Sequence, residues 1–125
     1  MMKEIHTSNA PAAVGPYSQA IQSGDYIHAS GQLGVDPKSG ELVAGVEAQT
    51  KQVLENMKAV LAEAGVDFSN VVKFTIYLDS MDDFGTVNEI YASYLTKPYP
   101  ARVCVEVSRL PMDALVEMDA IAYKK

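Results

Sequence analysis

Residues 98–107 have the sequence PYPARVCVEV, which predicts a strand with one polar face. The two prolines end the preceding element, because their ring nitrogens donate no hydrogen bond and their φ is fixed. The residues that follow alternate as a β-strand, with valines at 103, 105 and 107 on one face and Arg102, Cys104 and Glu106 on the other. We expect the valines to pack in the core. An arginine in this apolar context needs an anion, and our first hypothesis is a ligand carboxylate.

The length and charge of the chain favour one acidic globular domain over residues 1–125. A chain of 125 residues suffices for a single core. Its 48% hydrophobic and 21% charged residues are typical of a globular protein in water. Lys and Arg number 10 against 16 Asp and Glu, a net charge of -6. Because non-specific nucleic-acid affinity comes from Lys and Arg, this balance argues against a nucleic-acid partner.

The sequence also predicts a cytoplasmic protein with no membrane segment. Its single cysteine, Cys104, cannot form an internal disulfide, so the fold does not depend on an oxidising compartment. The first residues, MMKEIH, contain no apolar run of signal-peptide length. No stretch approaches the roughly 20 apolar residues that span a bilayer.

Periodicity predicts six strands and two helices. The helix at residues 45–64 has the clearest pattern, because apolar residues recur every three or four positions and Gly65 follows its end. A second helix is predicted at 84–95, with Asn88 on its apolar face, where an amide must find partners. Strands are predicted at residues 3–7, 17–23, 26–32, 71–78, within 98–107 and at 115–123. This order predicts an α+β two-layer sandwich, in which one mixed sheet carries both helices on one face.

The sheet face away from the helices is predicted to be neither a clean apolar core nor a fully solvated surface. Its predicted members are Tyr26, His28, Ser30, Thr75, Tyr77, Arg102, Cys104, Glu106, Glu117 and Asp119. Two helices on one side of a sheet cannot also cover the other side. We therefore expect other copies of the chain to cover this face, with its polar members lining clefts between subunits.

Arg102 has two interpretations of equal weight on spacing alone. In one, it forms a structural ion pair with a nearby carboxylate, the candidates being Glu106, Glu117 and Asp119. In the other, it clamps a substrate carboxylate, for which a planar guanidinium is well suited. Glu117 in turn either pairs with Arg102 or holds a water molecule as a general base.

Cys104, Tyr17 and the two histidines carry weaker signals. A nucleophilic cysteine needs a nearby base, and neither His6 nor His28 stands at a catalytic spacing, so Cys104 is interpreted as an inert thiol near a ligand. Tyr17 follows the rigid loop at 11–16 and is either a core or a pocket residue. The sequence has no cluster of His and Cys with metal-ligand spacing and no phosphate-binding glycine loop. From these residues alone, the chain is an oligomeric α+β domain with a small anion site.

Three stretches together resemble a known family. They are APAAVGPYSQ at residues 10–19, SGQ at 30–32, and PARVCVEV at 100–107 followed by RLP at 109–111. These resemble the Rid (reactive intermediate deaminase) family, also called YjgF or L-PSP endoribonuclease-like, over essentially the whole chain. The resemblance implies a chorismate-mutase-like fold, a homotrimer whose three sheets form a central barrel, and three sites between subunits.

The resemblance further implies hydrolysis of 2-iminobutanoate and 2-iminopropanoate to 2-oxo acids and ammonia, without a metal or organic cofactor. In this reading Arg102 binds the substrate carboxylate, assisted by the backbone N–H of Cys104. The Gly31 carbonyl accepts a hydrogen bond from the imine nitrogen, and Glu117 orients the attacking water. The residues implied to line or support the pocket are Tyr17, Ser30 and Asn88.

Two other functions stay open at this point. One is a ribonuclease or translation inhibitor, which the family name also records but which the net charge of -6 disfavours. The other is a non-catalytic regulator or chaperone that binds small carboxylates through the same pocket residues.

Overall fold

The protein is described here by a computed structural model that covers residues 2–125. Eight regular elements follow one another along the chain. They are β1 (Met2–Ile5), β2 (Ala20–Ser23), β3 (Tyr26–Leu33), α1 (Val46–Glu63), β4 (Val71–Leu78), α2 (Phe84–Ser93), β5 (Ala101–Glu106) and β6 (Val116–Tyr123). The predicted α+β fold with one mixed sheet and two helices is confirmed.

The six strands form one sheet in the order β1-β2-β3-β6-β4-β5. All neighbours are antiparallel except β4 and β5, which run parallel with α2 between them in sequence. A parallel pair requires a long crossover connection, and α2 supplies it. β5 therefore lies at an edge of the sheet, directly after the crossover helix.

The core lies between the helices and one face of the sheet. On α1 the middle of the predicted apolar stripe is fully buried, with Val53, Leu54, Met57, Val60 and Leu61 all at 0% exposure, whereas Val46 at its start is only partly buried. Burial of this stripe, rather than helix propensity, holds a helix of this length against a sheet. Neither helix of residues 2–125 is both long and apolar enough to cross a bilayer.

β6 and β4 show how the sheet faces are assigned. On β6 the buried residues Val116, Met118 and Ala120 alternate with Glu117 and Asp119 as predicted. The two acidic residues thus project from the face opposite to the helices.

On β4, Phe74 and Ile76 are buried as predicted, but Val72 is 44% exposed. The pairing of β4 with β6 shifts register between Val71 and Lys73, so Val71 takes the inward position instead. Strict alternation of the predicted strand 71–78 puts Val72 inward with Phe74, and this expectation was wrong because a β-bulge changes the alternation at this point.

The predicted strand at β5 is present, but its faces are reversed relative to the prediction. Val103 is 42% exposed and Val105 is 39% exposed. They pair in register with Thr75 and Tyr77, on the sheet face opposite to the helices. The expectation that these valines pack in the core was wrong.

Arg102 and Cys104 lie instead on the helix side of the sheet. Their partners in the parallel register are the buried residues Phe74 and Ile76. The prediction that Arg102 and Cys104 share the uncovered face with Glu117 was therefore wrong. Since the strand lies at the sheet edge beside α2, the position of that helix decides which face is covered.

Candidate functional site

A cavity of about 850 Å³ lies beside the end of β3 and the start of β6. Four of the predicted site residues line it, namely Tyr17, Ser30, Gly31 and Glu117. The rest of the wall comes from the end of β3, the loop before β2, the turn at residues 35–40, and Pro111 and Met112. Loops from separate parts of the chain must therefore be held against β3 and β6 to form this cavity.

Gln19 holds the loop that carries Tyr17. Its side chain is 2% exposed, and its Oε1 accepts a hydrogen bond of 2.7 Å from the backbone N–H of Thr7. Its Nε2 donates to the carbonyl of Pro11 at 2.8 Å and to that of Thr7 at 3.1 Å. Gln19 was not among the predicted site residues. Its sequence signals are its place between a proline-rich loop and an apolar strand, and its position at the end of the stretch 10–19 that resembles the family.

Ser30 ties the same loop to β3. Its hydroxyl donates to the carbonyl of Ser18 at 2.6 Å, and its backbone N–H donates to the carbonyl of Gln19 at 2.9 Å. Ser30 lines the cavity as predicted, but its hydroxyl proton is used in the hydrogen bond to the loop. Tyr17 projects from the loop with 50% of its surface exposed.

Gly31 lies directly against the Glu117 side chain. A Cβ atom built on Gly31 would overlap Oε2 of Glu117 and lie 2.9 Å from its Cδ. The pairing of β3 with β6 is irregular between Ala29 and Gln32, which includes this position. Only glycine allows the β3 backbone to approach the carboxylate this closely.

The environment of Glu117 favours its protonated form. Burial raises the pKa of Glu117 above its usual value of 4.5, and the negative charge of Asp119 raises it further. Asp119 in turn accepts a hydrogen bond of 3.0 Å from the hydroxyl of Tyr77. A carboxyl group whose pKa lies nearer to neutrality exchanges protons with a substrate more readily at physiological pH.

Arg102 lies outside this cavity, against α2. Its Nη1 donates a hydrogen bond of 2.6 Å to Oδ1 of Asn88. Its guanidinium carbon lies 5.5 Å from the ring centroid of Phe84 and 5.1 Å from that of Tyr91. The predicted inward position of Asn88 on α2 is explained, because its amide oxygen meets the arginine.

None of the carboxylates considered as partners of Arg102 pairs with it. Within residues 2–125 no ion pair joins Arg102 to Glu106, Glu117 or Asp119. Glu106 accepts a hydrogen bond of 2.8 Å from the backbone N–H of Met81. The structural ion-pair interpretation of Arg102 is thereby contradicted within one chain, because the guanidinium contacts a neutral amide and two aromatic rings instead of a carboxylate.

Cys104 is partly buried against the core beside Arg102. Burial raises the pKa of its thiol, against a smaller lowering by the positive charge of Arg102. The thiolate is the nucleophilic form of cysteine, so this environment disfavours nucleophilic chemistry. The interpretation of Cys104 as an inert thiol agrees with this environment.

The predicted site residues thus fall into two groups within one chain. Tyr17, Ser30, Gly31 and Glu117 line the cavity, whereas Arg102, Asn88 and Cys104 are absent from its walls. Glu117 projects from the sheet face opposite to that of Arg102. No group of three or more His, Cys, Asp or Glu side chains that could hold a metal ion occurs within the described part, residues 2–125.

A family model described as endoribonuclease L-PSP matches residues 7–124. The chain belongs to this family. The resemblance to the Rid family, another name for the L-PSP family, is confirmed. A family member from Mus musculus, a 2-iminobutanoate/2-iminopropanoate deaminase, is 53% identical over 123 residues, covering 98% of this chain and 91% of the mouse protein.

Solved structures of family members share the fold. The crystal structure of RidA from the Antarctic bacterium Psychrobacter sp. PAMC 21119 has a TM-score of 0.95 at 46% identity, covering 97% of this chain and 98% of that chain. E. coli TdcF with bound serine has a TM-score of 0.95 at 40% identity, covering 98% of this chain and 99% of that one.

Proposed function

We propose that the chain hydrolyses 2-iminobutanoate and 2-iminopropanoate to the 2-oxo acids and ammonia. The observation that carries this proposal is the state of Arg102, whose guanidinium has a neutral amide as its hydrogen-bond partner and keeps its full charge for a substrate carboxylate. Full-length similarity to a deaminase of this specificity supports the same conclusion. Bound serine in the structure of E. coli TdcF agrees with a family site that accepts small carboxylates.

The proposal includes assembly into a homotrimer with sites between subunits. Arg102 and Glu117 project from opposite faces of the sheet, so one chain does not bring them to one substrate. The uncovered sheet face carries the exposed side chains of Val103 and Val105, which a second copy would bury. In this arrangement one subunit supplies Arg102, and its neighbour supplies Tyr17, Gly31 and Glu117.

Arg102 binds the substrate carboxylate in the proposed reaction, with help from the backbone N–H of Cys104. The N–H of Val107 donates to the carbonyl of Leu78 on the β4 side. Because backbone N–H groups point alternately to the two sides of a strand, the N–H of Cys104 points to the open edge. A guanidinium and a backbone N–H together fix both oxygens of a carboxylate.

Water then adds to the imine carbon while Glu117 takes a proton from it. The Gly31 carbonyl accepts a hydrogen bond from the imine nitrogen and holds the imine carbon toward the water. Glu117 passes this proton to the imine nitrogen, which gives a tetrahedral intermediate with a hydroxyl and an amino group. Glu117 then transfers the hydroxyl proton to the amino nitrogen as the C=O bond forms and the C–N bond breaks, so that ammonia and the 2-oxo acid leave. The imine is already electrophilic, so the protein's main task is to position the water and the carboxylate.

The proposal is tested by generating the imine in situ with a threonine dehydratase and following its loss. We expect the wild-type chain to accelerate this loss, Arg102→Ala and Glu117→Gln to abolish the acceleration, and Lys51→Ala to retain it. Lys51 is the control because it is an exposed cation on α1, away from the cavity. Full activity of Arg102→Ala would refute the proposal.

A carboxylate-binding role without turnover is the second candidate, since the same Arg102 contacts would serve it. It predicts that 2-oxobutanoate binds the wild-type chain in calorimetry while the imine decays at its spontaneous rate. Loss of binding in Arg102→Ala, with no catalysis by the wild type, would identify this role. A ribonuclease role instead predicts RNA cleavage that persists through repurification and depends on Arg102.

A further inference from the structure

We propose that Phe84 and Tyr91 are positioning residues that fix the plane of the Arg102 guanidinium for the substrate carboxylate. Together with Asn88 they form a three-sided support on α2, here called the α2 cradle (Phe84, Asn88 and Tyr91). This inference rests on the proposed function, since it assumes that Arg102 binds the carboxylate of the imino acid. It assigns to two aromatic side chains a role that acts through Arg102.

The spacing of the α2 cradle places its members on one face of the helix. Asn88 follows Phe84 by four residues and precedes Tyr91 by three. Side chains at these spacings lie above one another on an α-helix. The guanidinium carbon of Arg102 is 5.5 Å and 5.1 Å from the two ring centroids, within the range of cation–π attraction. The hydrogen bond of 2.6 Å to Asn88 sets the remaining orientation.

The cradle is itself anchored in the core. Tyr91 is 4% exposed, and its ring meets Phe74 edge to face at 5.3 Å between centroids. Phe74 is fully buried and is the register partner of Arg102 in the parallel pair of β4 and β5. The guanidinium thus contacts one ring that the core holds in place, Tyr91, and a second, Phe84, that is partly buried against the core.

The chemistry of each member matches this role. Tyr91 has a buried hydroxyl with no hydrogen-bond partner within residues 2–125, so only its ring can act on Arg102. Asn88 accepts a hydrogen bond without carrying charge, which leaves the positive charge of the guanidinium for the substrate. An aspartate at this position would keep the hydrogen bond and neutralise that charge. The cradle therefore orients Arg102 without competing for its ligand.

The test measures binding of 2-oxobutanoate by calorimetry and steady-state kinetics on the imine for five variants. Tyr91→Phe and Phe84→Tyr keep the rings and should retain wild-type affinity. Phe84→Leu and Tyr91→Leu should weaken product binding and raise KM about threefold to fivefold, the equivalent of one exposed cation–π contact, with kcat nearly unchanged. Asn88→Asp should weaken binding about tenfold or more, because its carboxylate competes with the ligand.

A ligand-independent measurement keeps the inference falsifiable if a leucine variant folds poorly or the wild type binds no oxo acid. Nitrogen-15 relaxation of Arg102 Nε reports guanidinium motion directly, and we expect faster motion in Phe84→Leu than in the wild type or Phe84→Tyr. Unchanged motion and affinity in Phe84→Leu would overturn the inference. Equal weakening by Tyr91→Phe and Tyr91→Leu would also overturn it, by assigning the effect to the hydroxyl.

The two proposals fail separately in this design. If the wild type binds 2-oxobutanoate with the expected ranking of variants but leaves the imine rate unchanged, the proposed deamination fails and the cradle stands. The opposite outcome is also distinct. If the wild type hydrolyses the imine, and the leucine variants match it in 2-oxobutanoate affinity and in motion of the Arg102 guanidinium, only the role of the α2 cradle is refuted.

Discussion

Gly31 shows how a single missing side chain shapes the candidate site. Its backbone lies against the carboxylate of Glu117, where a Cβ atom would overlap Oε2. We expect Gly31→Ala to turn the carboxylate away from its present position and to lower kcat/KM for the imine about 100-fold, the usual order for a misplacement near 1 Å. Steady-state kinetics of the purified variant measures this effect.

Gly85→Ala is the matched control for Gly31→Ala. Gly85 lies within α2, and a Cβ atom there has nothing within 4 Å. Alanine should stabilise the helix by about 0.5–1 kcal/mol and leave activity intact. Full activity in Gly31→Ala would show that the carboxylate contact is not needed for turnover.

The raised pKa of Glu117 predicts where activity falls on the acid side. Glu117 acts as a base only when ionised, so activity should be lost as pH falls through a pKa above 4.5. Asp119→Asn removes one of the two causes of the shift and leaves burial, so the acid limb of kcat/KM should move to lower pH. Asp119→Glu keeps the charge and should leave the limb near its wild-type position.

The same shift sets the sign of the pH dependence of stability. The pKa of Glu117 is raised in the folded chain, so its contribution to stability is complete below its unfolded pKa. That contribution is lost as pH rises through the folded pKa. Chemical denaturation across this range should show a smaller loss for Asp119→Asn than for the wild type. In the activity measurement, an Asp119→Asn variant whose kcat/KM falls over the same acidic pH range as that of the wild type would refute the coupling between Glu117 and Asp119.

At the scale of elements, the sequence predicts the alternation of side chains along a strand better than it predicts which face of that strand packs against a helix. The alternation of β6 correctly separates Met118 from Glu117 and Asp119, because both faces of that strand are decided by its own residues. The faces of β5 depend on its parallel register with β4 and on the rings of α2, which the strand's own residues do not encode. The apolar pattern of the valines therefore predicted burial where a single chain leaves them exposed.

Gln19 joins two elements in a way that local periodicity cannot reveal, since its partners lie 8 to 12 positions away. We expect Gln19→Leu to leave several buried backbone groups of the preceding loop without partners and to lower the free energy of unfolding by roughly 2–4 kcal/mol. Activity should fall with it, because the loop carries Tyr17. Urea denaturation and hydrogen exchange of residues 7–17 measure the two effects.

Gln22→Leu, on the adjacent strand β2, is the matched control for Gln19→Leu. The side chain of Gln22 donates only to the carbonyl of Gly24, in an exposed turn, at 3.1 Å. Its loss should change stability by less than about 0.5 kcal/mol. Equal effects of Gln19→Leu and Gln22→Leu would show that the buried amide of Gln19 does not hold the loop.

At the scale of the whole molecule, the two groups of site residues support the proposal that neighbouring subunits share each site. The sequence supplied nearly every candidate side chain, since Arg102 and Gly31 lie in the stretches that resemble the family and Glu117 is a candidate base on the last predicted strand. It placed Arg102 and Glu117 on one face, and the structure places them on opposite faces. Their separation within one chain is the physical reason to expect a neighbour that completes the site.

Mixing two inactive variants tests this arrangement directly. Arg102→Ala lacks the carboxylate clamp and Glu117→Gln lacks the base, so each should be inactive alone. If each site takes Arg102 from one subunit and Glu117 from its neighbour, random trimers from an equal mixture carry both wild-type groups in about one quarter of their sites. Co-refolded mixtures should therefore recover about one quarter of wild-type activity per chain, with a trimeric mass in light scattering. A mixture as inactive as its components would mean that both groups come from the same chain.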